Sequence, residues 1–181
     1  LLARFFTQSE YGIYSLALVI LNIAVIISAI GLQGGSTRQI AYYRGKGEAA
    51  KVQGVVSSSL QMALMASILL SVIIFFTSDL ISAKIFHELG LSTPLKIFSI
   101  AIPFFVLINI LTSIFRGFDE VKPKAYFQDI LRSGLFPLLL LPVILLGLSF
   151  SAGMYAFSAS IIVTFIAFAV YAARKAPFTI R

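Results

Sequence analysis

Long uncharged runs alternate with short charged connections along this chain. Tyr11 to Leu32 carries no charge, Lys51 and Asp79 bracket an uncharged run from Val52 to Ser78, and Ile97 to Phe115 is a third. Ser133 to Ala173 is a fourth. A helix rises about 1.5 Å per residue, so crossing a hydrocarbon core of about 30 Å takes about 20 apolar residues. The first three runs fit one crossing each, and the fourth is long enough for two. The stretch GLSFSAG at 147–153 supplies glycines and serines for a turn that divides it. The pattern predicts five complete spans, at about 11–33, 54–78, 95–116, 125–147 and 153–173, with Leu1 to Phe6 as the end of an earlier one. Closed β-barrels also cross lipid with every backbone group satisfied, but they need short segments of alternating polarity. LALVILNIAVIISAI and PLLLLPVILLG do not alternate. The predicted fold is therefore all-α, a polytopic membrane helix bundle.

Composition agrees with that reading. A soluble domain is about a quarter charged, whereas this chain is 12% charged, 59% hydrophobic and has a mean hydropathy of +1.00. At 181 residues a soluble fold could not hide so much apolar surface. The net charge of +7 raises nucleic acid as a partner. The cations, however, sit in clusters between apolar runs and form no basic groove with interleaved aromatics, so the expected partner is the bilayer. The absence of cysteine excludes a disulfide framework and any thiolate metal site. LLARFFTQSEYG lacks the pattern of a signal peptide and has no initial methionine, so an earlier stretch of chain is expected.

The charge clusters also predict an orientation. Arg38, Arg44, Lys46 and Lys51, then Arg116, Lys122, Lys124 and Arg132, then Arg174, Lys175 and Arg181 occupy alternate connections. The other connections hold only Arg4, Lys84 and Lys96. Cytoplasmic loops carry the excess of Lys and Arg, so the first set is expected inside, as topology signal and lipid anchor. On this expectation 34–51, 117–124 and 174–181 are cytoplasmic, and 79–94 and 148–152 face outside.

Polar residues inside spans gather on helical faces. Asn109, Thr112, Ser113 and Arg116 recur at i, i+3, i+4 and i+7; Gly54, Ser57, Gln61, Ser67 and Ser71 share an arc; so do Tyr11, Ser15, Asn22 and Gln33, and Asp129, Arg132 and Ser133. Such stripes either pack helices closely or line a cavity. Asn22, Gln61 and Asn109 are expected to converge on one water-accessible space. Arg132 is expected either to reach the interface with Asp129 as its partner or to meet an anionic substrate. Pro103, Pro137 and Pro142 lie inside spans, and the last two suggest a bent helix.

Little points to an enzyme. YRGKGE lacks the Lys-Ser or Lys-Thr pair and the preceding strand of a phosphate loop, and its glycines read instead as the end of one helix and the start of the next. His87 is the sole histidine and has no second ligand nearby in IFHELG. No catalytic residue, metal site or cofactor is expected.

Three elements together resemble a known family. LLARFFTQSEYGIYSLAL offers Arg4, Glu10, Tyr11, Gly12 and Tyr14; GLQGGSTRQIAYYRGKGE offers Arg38, Ile40, Ala41, Arg44, Gly45, Lys46 and Gly47; IFRGFDEVKPKAYFQDIL offers Phe115, Arg116, Gly117, Phe118, Lys122 and Pro123. In that order they resemble the polysaccharide flippase branch of the multidrug/oligosaccharidyl-lipid/polysaccharide exporter superfamily. Thr7 and Gln8 stand where that family usually has Gly and Pro. The resemblance implies two helical lobes around a central cavity, with residues 1–181 as part of the N-terminal lobe and a C-terminal lobe as its partner. It implies a multi-pass protein of the cytoplasmic membrane that flips a lipid-linked oligosaccharide by alternating access; a separate expectation is that the chain does nothing alone. The alternatives are a cation-coupled multidrug exporter, which calls for acidic groups where only Asp129 is available, and an integral-membrane glycosyltransferase. For a pyrophosphate-linked lipid the expected cationic contacts are Arg4 and Arg116 first and Arg132 third, with Asn22, Gln61 and Asn109 lining the path.

Overall fold

The computed structural model describes residues 7–147 and 149–175. It is helical throughout: α1 Gln8–Ser28, α2 Leu32–Gly45, α3 Ala49–Leu80, α4 Ser92–Gly117, α5 Arg132–Leu145 and α6 Phe150–Lys175. Wide-turned helix covers Ile81–Ile85 and Lys124–Leu131, and a 3₁₀ turn covers Leu89–Leu91. Five helical stretches are long and apolar enough to cross a membrane. The all-α bundle and the five crossings are as the hydropathy pattern predicts. Leu1 to Phe6, the expected end of an earlier span, lie outside the described residues.

The helix bounds depart from expectation where local chemistry overrides hydropathy. Thr7 caps α1: its hydroxyl accepts from the Glu10 N–H, while the Glu10 carboxylate accepts from the Thr7 N–H at 2.9 Å. This reciprocal box satisfies donors that a helix start leaves open, so TQSE starts the helix at Gln8 without the family's Gly-Pro turn. At the other end Gly31, with φ +73°, breaks the helix in a conformation that glycine adopts at little cost. The chain then becomes helical again as α2, through the stretch 34–45 expected to be loop. Gly47, also at φ +73°, closes α2 and leads into α3, as expected for the YRGKGE glycines. α3 has 32 residues and is about 48 Å long, so the α2–α3 hairpin projects well past the hydrocarbon.

α4 is the post around which the others pack. It meets α1, α2, α3 and α6, and 78% of its most apolar window is buried, against 17% for α3 and 6% for the span containing α5. Small hydroxyls join the helices; Ser71 belongs to one of the stripes, Thr37 and Ser158 to none. Ser71 Oγ donates to the Ser99 carbonyl at 2.6 Å, Thr37 Oγ1 to the Ser113 carbonyl at 2.8 Å, and Ser158 Oγ to the Ile97 carbonyl at 3.4 Å. Such bonds between membrane helices contribute about 1 kcal/mol each.

Two of the family-like elements meet each other at one end of α4. Gly117 abuts Ile40 so closely that a Cβ there would lie 2.8 Å from the Ile40 Cβ and Cγ2. One turn on, the Arg44 guanidinium pairs with Asp119 at 2.8 Å. The Phe-Arg-Gly-Phe and Arg-x-Ile-Ala stretches are thus the two sides of one α2–α4 seam. That seam, and the contact of Phe127 with Tyr171 near the end of α6, bring the basic connections to a common end of the bundle. The opposite end is tied by Asp79, which accepts from Ser92 and from Lys96 Nζ at 2.9 Å. His87 lies exposed at that opposite end, with φ +55°.

Candidate functional site

The α4 face that carries Phe105 and Asn109 looks onto the start of the α5 span. Gln128 Nε2 donates to Asn109 Oδ1 at 2.5 Å, and the Arg132 guanidinium carbon sits 4.0 Å from the centre of the Phe105 ring. Beside this contact opens a cleft of about 460 Å³ between the α5 span and α6, lined by Gln128, Asp129, Arg132, Ser133, Phe136, Phe157 and Ser160. Its polar groups come from one strip of the span, apart from Ser160 on α6, and Phe136 and Phe157 meet edge-on across it at 5.3 Å. Tyr14 braces Phe157 and Phe98 from α1, at 6.1 and 6.0 Å.

Arg132 is half-buried and held by an aromatic face instead of a carboxylate. The expected pair with Asp129 does not form: the ion pairs among the described residues are Arg44–Asp119, Lys51–Glu48 and Lys96–Asp79. The reason is local. Arg132 stacks inward on α4, while Asp129 stays exposed. A desolvated guanidinium on an aromatic face gains about 2 kcal/mol. Its edge retains donors suited to a bidentate oxyanion.

The other sequence candidates separate. Arg4 lies outside the described residues. Arg116 is exposed in the last turn of α4, at the basic end, away from the cleft-lining residues. Asn22 is exposed, and its amide donates to the Leu18 carbonyl of its own helix at 2.8 Å. Gln61 is exposed on α3, whose buried face carries Ser59, Ala63 and Ser67. The three amides therefore do not converge: Asn109 alone reaches the cleft, through Gln128. Thr112 and Ser113, expected on the same stripe, are buried and bonded to the Ile108 and Asn109 carbonyls. Arg38, Lys46, Lys122, Arg174 and Lys175 are exposed and Lys124 is half-buried. Lys46 and Lys51 lie against the rings of Tyr42 and Tyr43, and Lys51 also pairs with Glu48.

Sequence reasoning missed Gln128, Phe105 and Phe136. Gln128 and Phe136 each stand four residues from Arg132, a signal the α-helical period offers. Phe105 gives no signal, because a phenylalanine in an apolar span reads as core.

The family model described as polysaccharide biosynthesis protein matches residues 1–180. The chain belongs to that family. No curated protein and no solved structure matches the chain. This member of the polysaccharide biosynthesis protein family is a multi-pass membrane protein by its five apolar spans. Within it, the cleft gathers an arginine, a carboxylate without an ion pair among the described residues, an amide, two hydroxyls and two aromatic rings on helices long and apolar enough to cross a membrane.

Proposed function

We propose that this chain is the N-terminal-lobe part of a transporter that flips a lipid-linked oligosaccharide across the cytoplasmic membrane, and that the Arg132 cleft receives the anionic end of that lipid. Besides family membership, the observation that carries the reading is an arginine within an apolar span, with no carboxylate partner among the described residues, facing a polar and aromatic cleft. An unpaired charge in a low-dielectric site is costly, and a pyrophosphate would supply the missing countercharge in two-pronged form. Arg116, exposed at the basic end, would make an early contact as the lipid enters. In cells that lack the full-length protein, the lipid-linked saccharide should accumulate unpolymerised, and restoring the gene should clear it. Persistent accumulation after restoration would contradict the reading.

A cation-coupled exporter is the second reading, and one observation favours it: Asp129 is exposed at the cleft and makes no ion pair among the described residues. Asp129→Asn separates the two. The flippase reading expects saccharide export to persist in this variant. Cation coupling through this carboxylate expects transport to be lost.

The orientation proposed from the basic connections carries its own test. Lys46→Cys in the full-length protein should react with a membrane-impermeant maleimide in inside-out vesicles and stay unlabelled in intact cells. Labelling from the outer face alone would reverse the topology.

A further inference from the structure

Tyr14 lies on the packed face of α1, in register with Ala17, Leu21, Ala24 and Val25, and is only 7% exposed. Its ring meets Phe98 of α4 edge-on at 6.0 Å and Phe157 of α6 at 6.1 Å, and those two rings are 5.1 Å apart. Phe157 is one wall of the Arg132 cleft, and Tyr14 backs that wall. A phenylalanine would fill this place equally well and bring no polar atom into an aromatic cluster. A phenol in such surroundings is costly unless its O–H finds a partner. The Tyr14 hydroxyl makes no hydrogen bond among the described residues, yet its oxygen is not sealed from open space.

What lies within its reach is Arg132. Among the titratable groups of the described residues, Tyr14 is the one that acts electrostatically on the Arg132 guanidinium, and Asp129, only three residues away, does not. Arg132 in turn is half-buried, rests on Phe105 and makes no ion pair among the described residues. A guanidinium edge and a phenol O–H are both donors, and here neither is bonded to the other. One group that accepts from both would satisfy them together. A phosphate-type oxyanion has several acceptor oxygens and the charge that a guanidinium calls for. We propose that the Tyr14 hydroxyl is the second donor of the oxyanion site, so that a phosphate-type anion held by Arg132 also accepts from Tyr14. The assignment rests on the reading above that the cleft receives the anionic end of a lipid. It adds α1 to a site otherwise built from α4, the α5 span and α6. α1 packs chiefly on α4, so the anion would tie it to the α5 span.

The probe is inorganic pyrophosphate, titrated calorimetrically into the full-length protein in detergent. The basic end of the bundle also attracts this anion, so the binding that counts is the part that Arg132→Gln removes. Tyr14→Phe takes away one oxygen and keeps every ring contact. It should weaken the Arg132-dependent binding about tenfold or more, as loss of a hydrogen bond to a charged group does. The thermal midpoint without pyrophosphate should stay at the parent value or rise, because the hydroxyl bonds nothing in the fold. Parent affinity in Tyr14→Phe is what a space-filling ring predicts, and it would overturn the assignment. Absence of any Arg132-dependent binding in the parent would overturn it as well. Weaker binding with a lowered midpoint would mark damage to the fold instead of a lost donor, and would count against it too. Pyrophosphate held through both residues by a protein that does not flip the lipid-linked saccharide would sink the transport reading and leave the Tyr14 assignment standing.

Discussion

Replacement of Arg132 by glutamine should abolish export of the lipid-linked saccharide while leaving the protein at normal abundance in the membrane. The side chain makes no ion pair and no hydrogen bond to protein among the described residues; it rests on the Phe105 ring. Its removal therefore costs the fold little more than one cation–aromatic contact. A bound oxyanion would lose two charge-assisted hydrogen bonds, each worth about 1.5–3 kcal/mol. Since about 1.4 kcal/mol is tenfold, export should fall about a hundredfold or more. Arg132→Lys keeps the charge but loses the planar fork and the face-on stack, so it should recover only a minor part of the rate. Export by Arg132→Gln at the parent rate and at equal membrane abundance would remove the cleft from the transport path.

Gly117→Ala should be the most damaging small substitution for the fold. The new methyl would lie 2.8 Å from the Ile40 Cβ and Cγ2 and 3.1 Å from the Thr37 carbonyl oxygen. Ile40 is fully buried and branched at the very atom that is struck, so it has no flexible end to move aside. α2 must retreat from α4, taking with it the Thr37–Ser113 hydrogen bond and the Arg44–Asp119 pair. Overpacking of this kind costs about 1–3 kcal/mol. Thermal unfolding of the full-length protein in detergent should show a clearly lowered midpoint for Gly117→Ala. Gly134→Ala is the matched control. It meets nothing within 4 Å, and alanine favours a helix over glycine by about 1 kcal/mol, so its midpoint should hold or rise. Equal midpoints for the two variants would show that the α2–α4 seam has slack.

Hydropathy made the five crossings and the all-α class legible, because about 20 uncharged residues in a row have one physical use. Helix ends were less legible. The Thr7–Glu10 capping box lies in the sequence as T-x-x-E, but it is a local hydrogen-bonding signal that hydropathy ignores. The cationic stretch after Gln33 reads as loop by charge, yet it folds as α2 because Ile40 and Ser36 have α4 to pack against. At the cleft, Arg132 and Asn109 were identifiable as polar groups in apolar spans. Their ranking was not, since Asp129 and Arg132, three residues apart, read equally well as a pair. What separates them is tertiary: Phe105 from α4 takes the guanidinium. Asn22 and Gln61 went astray for a related reason. An amide can satisfy its donor on its own helix, as Asn22 does on Leu18, and so needs no shared cavity. The wide turns at Lys124–Leu131 had no signal in the hydropathy pattern.

The most direct measurement is flipping itself. The full-length protein would be reconstituted into liposomes that carry a fluorescent polyprenyl-pyrophosphate-linked saccharide, and arrival of label in the opposite leaflet would be followed with a membrane-impermeant quencher. Wild type should transfer the lipid well above protein-free liposomes, and Arg132→Gln should fall to the protein-free rate. Transfer by wild type no faster than in protein-free liposomes, or by Arg132→Gln as fast as wild type, would contradict the proposal that this family member moves a lipid-linked saccharide through the Arg132 cleft.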